Sequence, residues 1–122
     1  MRKTICLDFD GVIHSYASGW KGITNIPDAP TIGCYSALKG MIDNGWEVVI
    51  HSTRCRSWKG RRAVRKWMQK YNLPSLKVVK HKPPAFVTLD DRAITFNGNW
   101  ADAITDIGFF ESWIMKRDKR RE

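Results

Sequence analysis

The chain has 122 residues and a formal net charge of +9, a length that fits one domain built around one core. No apolar run approaches membrane-span length, and the basic-then-apolar start is cut by Asp8 well short of a signal peptide, so a cytoplasmic protein is expected. Three cysteines, Cys6, Cys34 and Cys55, cannot pair completely and show no Cys-x-x-Cys spacing, which excludes a disulfide scaffold and structural zinc.

In chain order, residues 3–9 read as a buried strand centred on Ile5-Cys6-Leu7. The strand runs into Asp8-Phe9-Asp10-Gly11-Val12. Positions i and i+2 of a strand point the same way, so Asp8 and Asp10 are expected to emerge together at its carboxyl end. Ligand sites of open α/β sheets lie at such ends. Two like charges side by side need a shared proton or a cation, and a hard divalent ion such as Mg²⁺ suits oxygen ligands. Taken alone, Asp-x-Asp-Gly is as well explained by a turn.

Residues 14–30 are rich in Gly, Ser, Asn and Pro and predict a small flap with its hairpin tip at Trp20-Lys21-Gly22. A helix then opens at Pro30-Thr31. Cys34, Ala37, Leu38, Met41 and Ile42 follow helical spacing, and Asn44-Gly45 closes it. Residues 46–51 predict a second strand ending at Ser52-Thr53-Arg54. Residues 57–71 predict a basic helix with one apolar stripe of Val64, Trp67, Met68 and Tyr71. Strands are expected at 76–79 and, after the stiff Pro83-Pro84 turn, at 86–89, ending at Asp90-Asp91. Residues 93–96 predict a short fifth strand before the Asn97-Gly98-Asn99 turn. The remaining apolar residues, Trp100 to Ile114, predict short helix packed on the sheet, followed by a basic tail from about 116 to 122. The alternation predicts a single α/β domain, Rossmann-like and three-layered, with a mainly parallel central sheet and no large cap.

The charge is unevenly spread: from Arg54 to Lys82 there are eleven Lys or Arg and no Asp or Glu. Such a field attracts polyanions, nucleic acid foremost, although a solvated face that only aids solubility has the same composition. Trp20 and Trp58 read either as core residues or as rings on which a base could stack. The spacing of His14, His51 and His81 fits no metal motif. His14, close behind the acidic motif, and Arg54 and Arg56 are candidate substrate contacts.

Asp8 and Asp10, Ser52, Lys82, and Asp90 and Asp91 all fall at predicted strand ends, which a parallel sheet gathers on one edge. Carboxylates for a metal, a carboxylate free to attack, a hydroxyl and a lysine for an oxyanion together make a phosphoryl-transfer set. With these motifs in this order, the sequence resembles the haloacid dehalogenase-like superfamily of phosphohydrolases over residues 4–96. Residues 82–93 are similar to its small cap-less members common in phages and prophages. The resemblance implies that Asp8 attacks phosphorus to form an aspartyl-phosphate, and that Asp10 first protonates the leaving oxygen and then takes a proton from water. It implies Mg²⁺ held by Asp8, the Asp10 carbonyl and Asp90, with Asp91 behind, or the last two exchanged. It also implies Gly11 and Ser52 at the phosphate and Lys82 paired with Asp8 and the phosphate. Thr53 is the alternative to Ser52, and Lys80 the alternative to Lys82.

Without a large cap the site stays open, which suits a large substrate. With the basic stretch this favours a nucleotide or nucleic-acid terminal phosphate. Two other classes compete. One is a basic nucleic-acid-binding module with a degenerate site, which would have no use for Asp10. The other is a phospho-acceptor signalling domain, whose acceptor Asp ends the third strand rather than the first.

Overall fold

The computed structural model describes residues 3–121, of which residue 121 is described by its backbone alone. Two compact units follow one another along the chain, Met1–Leu89 and Asp90–Glu122. Among the described residues, no helix is long and apolar enough to cross a membrane.

The first unit is α/β, with the elements β1 (Thr4–Leu7), α1 (Cys34–Asp43), β2 (Glu47–Ile50), a 3₁₀ turn (Thr53–Arg56), α2 (Trp58–Lys70), β3 (Lys77–Val78) and β4 (Val87–Leu89). The four strands form one sheet in the order β3-β2-β1-β4, and every pairing is parallel. All four residues of β1 are buried, as expected for a central strand of a parallel sheet. Ile5, Leu7, Phe9, Leu38, Val48, Ile50, Val64, Trp67 and Val78 form the core.

Helix α1 begins at Cys34, later than the Pro30-Thr31 start expected from the sequence, because Gly33 enters a left-handed conformation (φ 80°) immediately before it. Only Cys34 and Leu38 of its predicted apolar face are buried; Met41 is half-buried, and Ala37 and Ile42 are exposed. Helix α2 matches expectation closely. Ser57 caps it by accepting the Gly60 N–H on Oγ at 3.1 Å, and Val64, Trp67 and Met68 face the core with Tyr71 beside them.

Gly60 sits in the first turn of α2 against the backbone of Arg54. A Cβ built there would stand 1.8 Å from the Arg54 carbonyl oxygen and 2.7 Å from its carbon. Those are backbone atoms and cannot swing aside. Replacing a helical Gly by Ala ordinarily gains up to about 1 kcal/mol; here Gly60→Ala is expected to reverse that sign and cost about 2 kcal/mol or more through overpacking. Urea unfolding of the variant checks this, and a stabilised variant would refute the clash.

Residues 8–33 carry no helix or strand. Isolated bridges join Asp10 to His14 and His14 to Pro30, so the expected hairpin at Trp20-Lys21-Gly22 is absent. The flap is nevertheless tied down. Ser15 N–H reaches Ala29 C=O at 2.9 Å, Thr31 N–H reaches Ile13 C=O at 2.9 Å, and Trp67 Nε1–H of α2 reaches Asp28 C=O at 2.9 Å.

In the second unit, the expected strand at 93–96 is absent; these residues have no regular structure and are exposed. Helix α3 (Trp100–Gly108) is capped by Asn99, whose Oδ1 accepts the Asp102 N–H at 3.1 Å. The helical periodicity holds, and no residue of α3 is buried. Helix α4 (Trp113–Arg121) takes up the basic segment expected as a tail; Glu122 lies outside the described residues.

Candidate functional site

The strand order places a topological switch point between β1 and β4. From β1 the chain proceeds outward to β2 and β3, then returns to the other side of β1. Crevices at the carboxyl ends of such strands are the usual ligand sites of open α/β sheets. Register brings these ends level: Leu7 pairs with Ile50 and with Leu89, and Ile50 with Val78. The ladders run one residue further, Asp8 N–H donating to Leu89 C=O at 2.9 Å and His51 N–H to Leu7 C=O at 3.0 Å. Asp8 and Asp90 are therefore the first residues beyond two aligned, neighbouring strand ends. The carboxylates of Asp8, Asp90 and Asp91 form a group able to hold a metal ion. All the donors in this group are carboxylate oxygens, a set that fits Mg²⁺ or a similar hard cation and not a zinc or copper site.

Asp10 is placed differently from the strand-based expectation. β1 ends at Leu7 and the chain turns at once, with the N–H groups of Val12, Ile13 and His14 converging on Phe9 C=O at 3.2, 2.9 and 3.0 Å. Gly11 occupies φ 84°, which strongly favours glycine at the turn, and its N–H goes to His14 C=O at 2.8 Å. Asp8 stays at the strand end, its Oδ1 accepting the Phe9 N–H at 2.8 Å. The Asp10 carboxylate turns instead to a buried pair: Oδ1 meets His14 Nδ1 at 2.8 Å, and Oδ2 accepts Arg54 Nε–H at 2.9 Å.

His14 and Arg54, expected among the substrate contacts, are both wholly buried. They orient Asp10 and are not open to a ligand. The His14 tautomer follows from its second nitrogen. Nε2 accepts the Asp28 N–H at 3.1 Å, so the proton lies on Nδ1 and is donated to Asp10. Sequence reasoning missed Asp28, which lies in the flap and meets His14 Nε2 with its N–H and, at 3.6 Å, with a carboxylate oxygen; no local spacing signals that partner. Arg54 ties the flap to the same carboxylate. Its Nη1 donates to the carbonyls of Gly22 and Ile23 at 2.7 and 2.8 Å and more weakly to that of Asn25 at 3.3 Å, and its guanidinium carbon lies 4.6 Å from the centre of the Trp20 ring. Its Nη2 is buried without an acceptor among the described residues.

Ser52 is buried at the end of β2. Its Oγ accepts the Arg54 N–H at 3.2 Å and so caps the 3₁₀ turn; it also shares a 3.7 Å contact with Cys55 Sγ in which either group can donate. Thr53, the alternative, is exposed on that turn, as is Arg56. Lys82 is exposed on the loop after β3. Its charge bears on His51: burial first, then the neighbouring Lys82, Arg56 and His81, hold His51 below its ordinary range. Trp20 and Trp58 are both exposed.

No family model, curated protein or solved structure matches this chain.

Proposed function

We propose that the protein is a metal-dependent phosphomonoesterase working through an aspartyl-phosphate on Asp8, in a Rossmann-like, three-layer, cap-less domain of the haloacid dehalogenase-like type. The observation that carries this reading is the acidic group at the β1–β4 switch point, with a second, separately held aspartate two residues after the first. Asp8, Asp90 and Asp91 would hold Mg²⁺, with the Asp10 carbonyl as a further ligand; bound there, the ion would offset negative charge on the phosphoryl group.

The residues divide the remaining work. An Asp8 carboxylate oxygen attacks phosphorus as the bond to the leaving oxygen breaks. Asp10, in its acid form, gives that oxygen a proton, then takes one from the water that attacks phosphorus and releases Asp8. His14 and Arg54 keep the Asp10 carboxylate in one orientation, which such proton transfer requires. Ser52 Oγ–H donates to a phosphoryl oxygen, and Lys82 supplies positive charge from the loop after β3. The flap carries no helix or strand to close over a small metabolite, which favours a nucleotide or a nucleic-acid end as substrate.

Hydrolysis of an aryl phosphate, a mononucleotide and a 3′-phosphorylated oligonucleotide tests the reading. Turnover is expected with Mg²⁺, should vanish in EDTA and should return when Mg²⁺ is restored. Folded protein that turns over none of the three with Mg²⁺ would overturn it in favour of a binding module.

A further inference from the structure

A groove of about 460 Å³ lies between the flap and helix α2, wholly within the first unit. Ile26 lines it from the flap; Trp58, Lys59, Arg62, Lys66 and Lys70 line it from the helix. Lys59, Arg62, Lys66 and Lys70 are spaced i, i+3, i+7 and i+11, so they form one stripe along the helix. The last three are four residues apart, a rise of about 6 Å per step, comparable with the separation of neighbouring phosphates in an extended strand. Helix α2 carries six Lys or Arg and no acid. At its start Trp58 is 60% exposed, an unusual placement for so large a ring, and Lys59 Nζ stands 5.9 Å from the ring centre.

We infer that this groove binds single-stranded nucleic acid, with phosphates along the Arg62–Lys66–Lys70 row and a base on Trp58. A cationic track beside an exposed aromatic platform is the arrangement that holds unpaired strands without sequence preference. A membrane surface fits less well. The apolar stripe of α2, Val64, Trp67 and Met68, is buried in the core, which leaves no face to enter lipid. An acidic peptide would satisfy the charges but has no regular use for the ring. Binding in the groove does not depend on hydrolysis. Only the further consequence, that the substrate is the phosphorylated end of such a strand, rests on the phosphatase reading.

The test is fluorescence anisotropy with a labelled single-stranded oligonucleotide, titrated at several salt concentrations without Mg²⁺, so that failure of the hydrolytic reading leaves it intact. Arg62→Ala/Lys66→Ala is expected to weaken binding about 10-fold or more at low salt and to reduce the slope of log K against log salt by about 1.4, at about 0.7 for each phosphate no longer neutralised. Trp58→Ala is expected to weaken binding about 10-fold with the slope unchanged, the signature of lost stacking. Lys39→Ala/Lys77→Ala, which removes equal charge outside the groove, should stay near wild type. The inference is overturned if this control weakens binding as much as the groove pair, if Trp58→Ala has no effect, or if polyglutamate of equal charge competes as well as the oligonucleotide.

Discussion

Asp8→Asn is expected to lower phosphate-ester hydrolysis by about 1,000-fold or more, the loss that follows when a covalent nucleophile is removed. The change is nearly isosteric and the local fold should persist. The carboxamide keeps an oxygen to accept the Phe9 N–H, now met at 2.8 Å, and the backbone N–H of residue 8 still reaches Leu89 C=O. What changes is charge: one of three grouped carboxylates, Asp8, Asp90 and Asp91, becomes neutral. Without metal, that relieves like-charge repulsion within the group. With Mg²⁺, the stabilisation that a ligand gives to the folded state should shrink, because one anionic donor is gone. Activity and metal-dependent melting thus separate the two roles proposed for Asp8. Retained turnover in a folded variant would remove it as the nucleophile, and a full Mg²⁺ effect on melting would remove it as a ligand.

Much of the first unit was legible because its signals are local. The Ser57 cap and the Val64, Trp67, Met68 stripe sit within one helix, and the four parallel strands are short apolar runs set off by turn residues. The site was legible only in outline. Period-two reasoning puts Asp8 and Asp10 side by side on a strand. The chain instead leaves the sheet after Leu7, because Phe9 C=O gathers three N–H groups in a turn that Gly11 makes possible. The partners of Asp10 are then set by tertiary structure. Arg54 lies 44 residues away, and nothing in the local sequence distinguishes it from its neighbour Arg56, yet one is wholly buried and the other exposed. The signal at α3 is local as well. Trp100, Ile104 and Ile107 have the spacing of one helical face, and that pattern specifies a helix without specifying what covers it; all three are exposed.

Arg54→Met is expected to destabilise the protein by about 3–5 kcal/mol, the range for removing one partner of a buried ion pair. The cost comes chiefly from what is left behind. The Asp10 carboxylate keeps His14 but loses its guanidinium donor, and the carbonyls of Gly22, Ile23 and Asn25 lose the Nη1 group they share. A surface ion pair would be worth less than about 1 kcal/mol, and it is the complete burial of Arg54 that puts this one in the higher class. Arg54→Lys divides the effect. An ammonium can still pair with Asp10, but it lacks the planar fork that reaches the carboxylate and the flap at once. It should therefore recover part of the stability while hydrogen exchange at residues 22–25 stays fast. Urea unfolding and amide exchange measure the two parts. A loss below about 1 kcal/mol with unchanged exchange in the flap would mean that Arg54 neither holds the loop nor steadies Asp10. If the pair does what its geometry implies, hydrolysis by Arg54→Lys should fall through kcat more than through KM, because Asp10 would be present but poorly oriented for proton transfer.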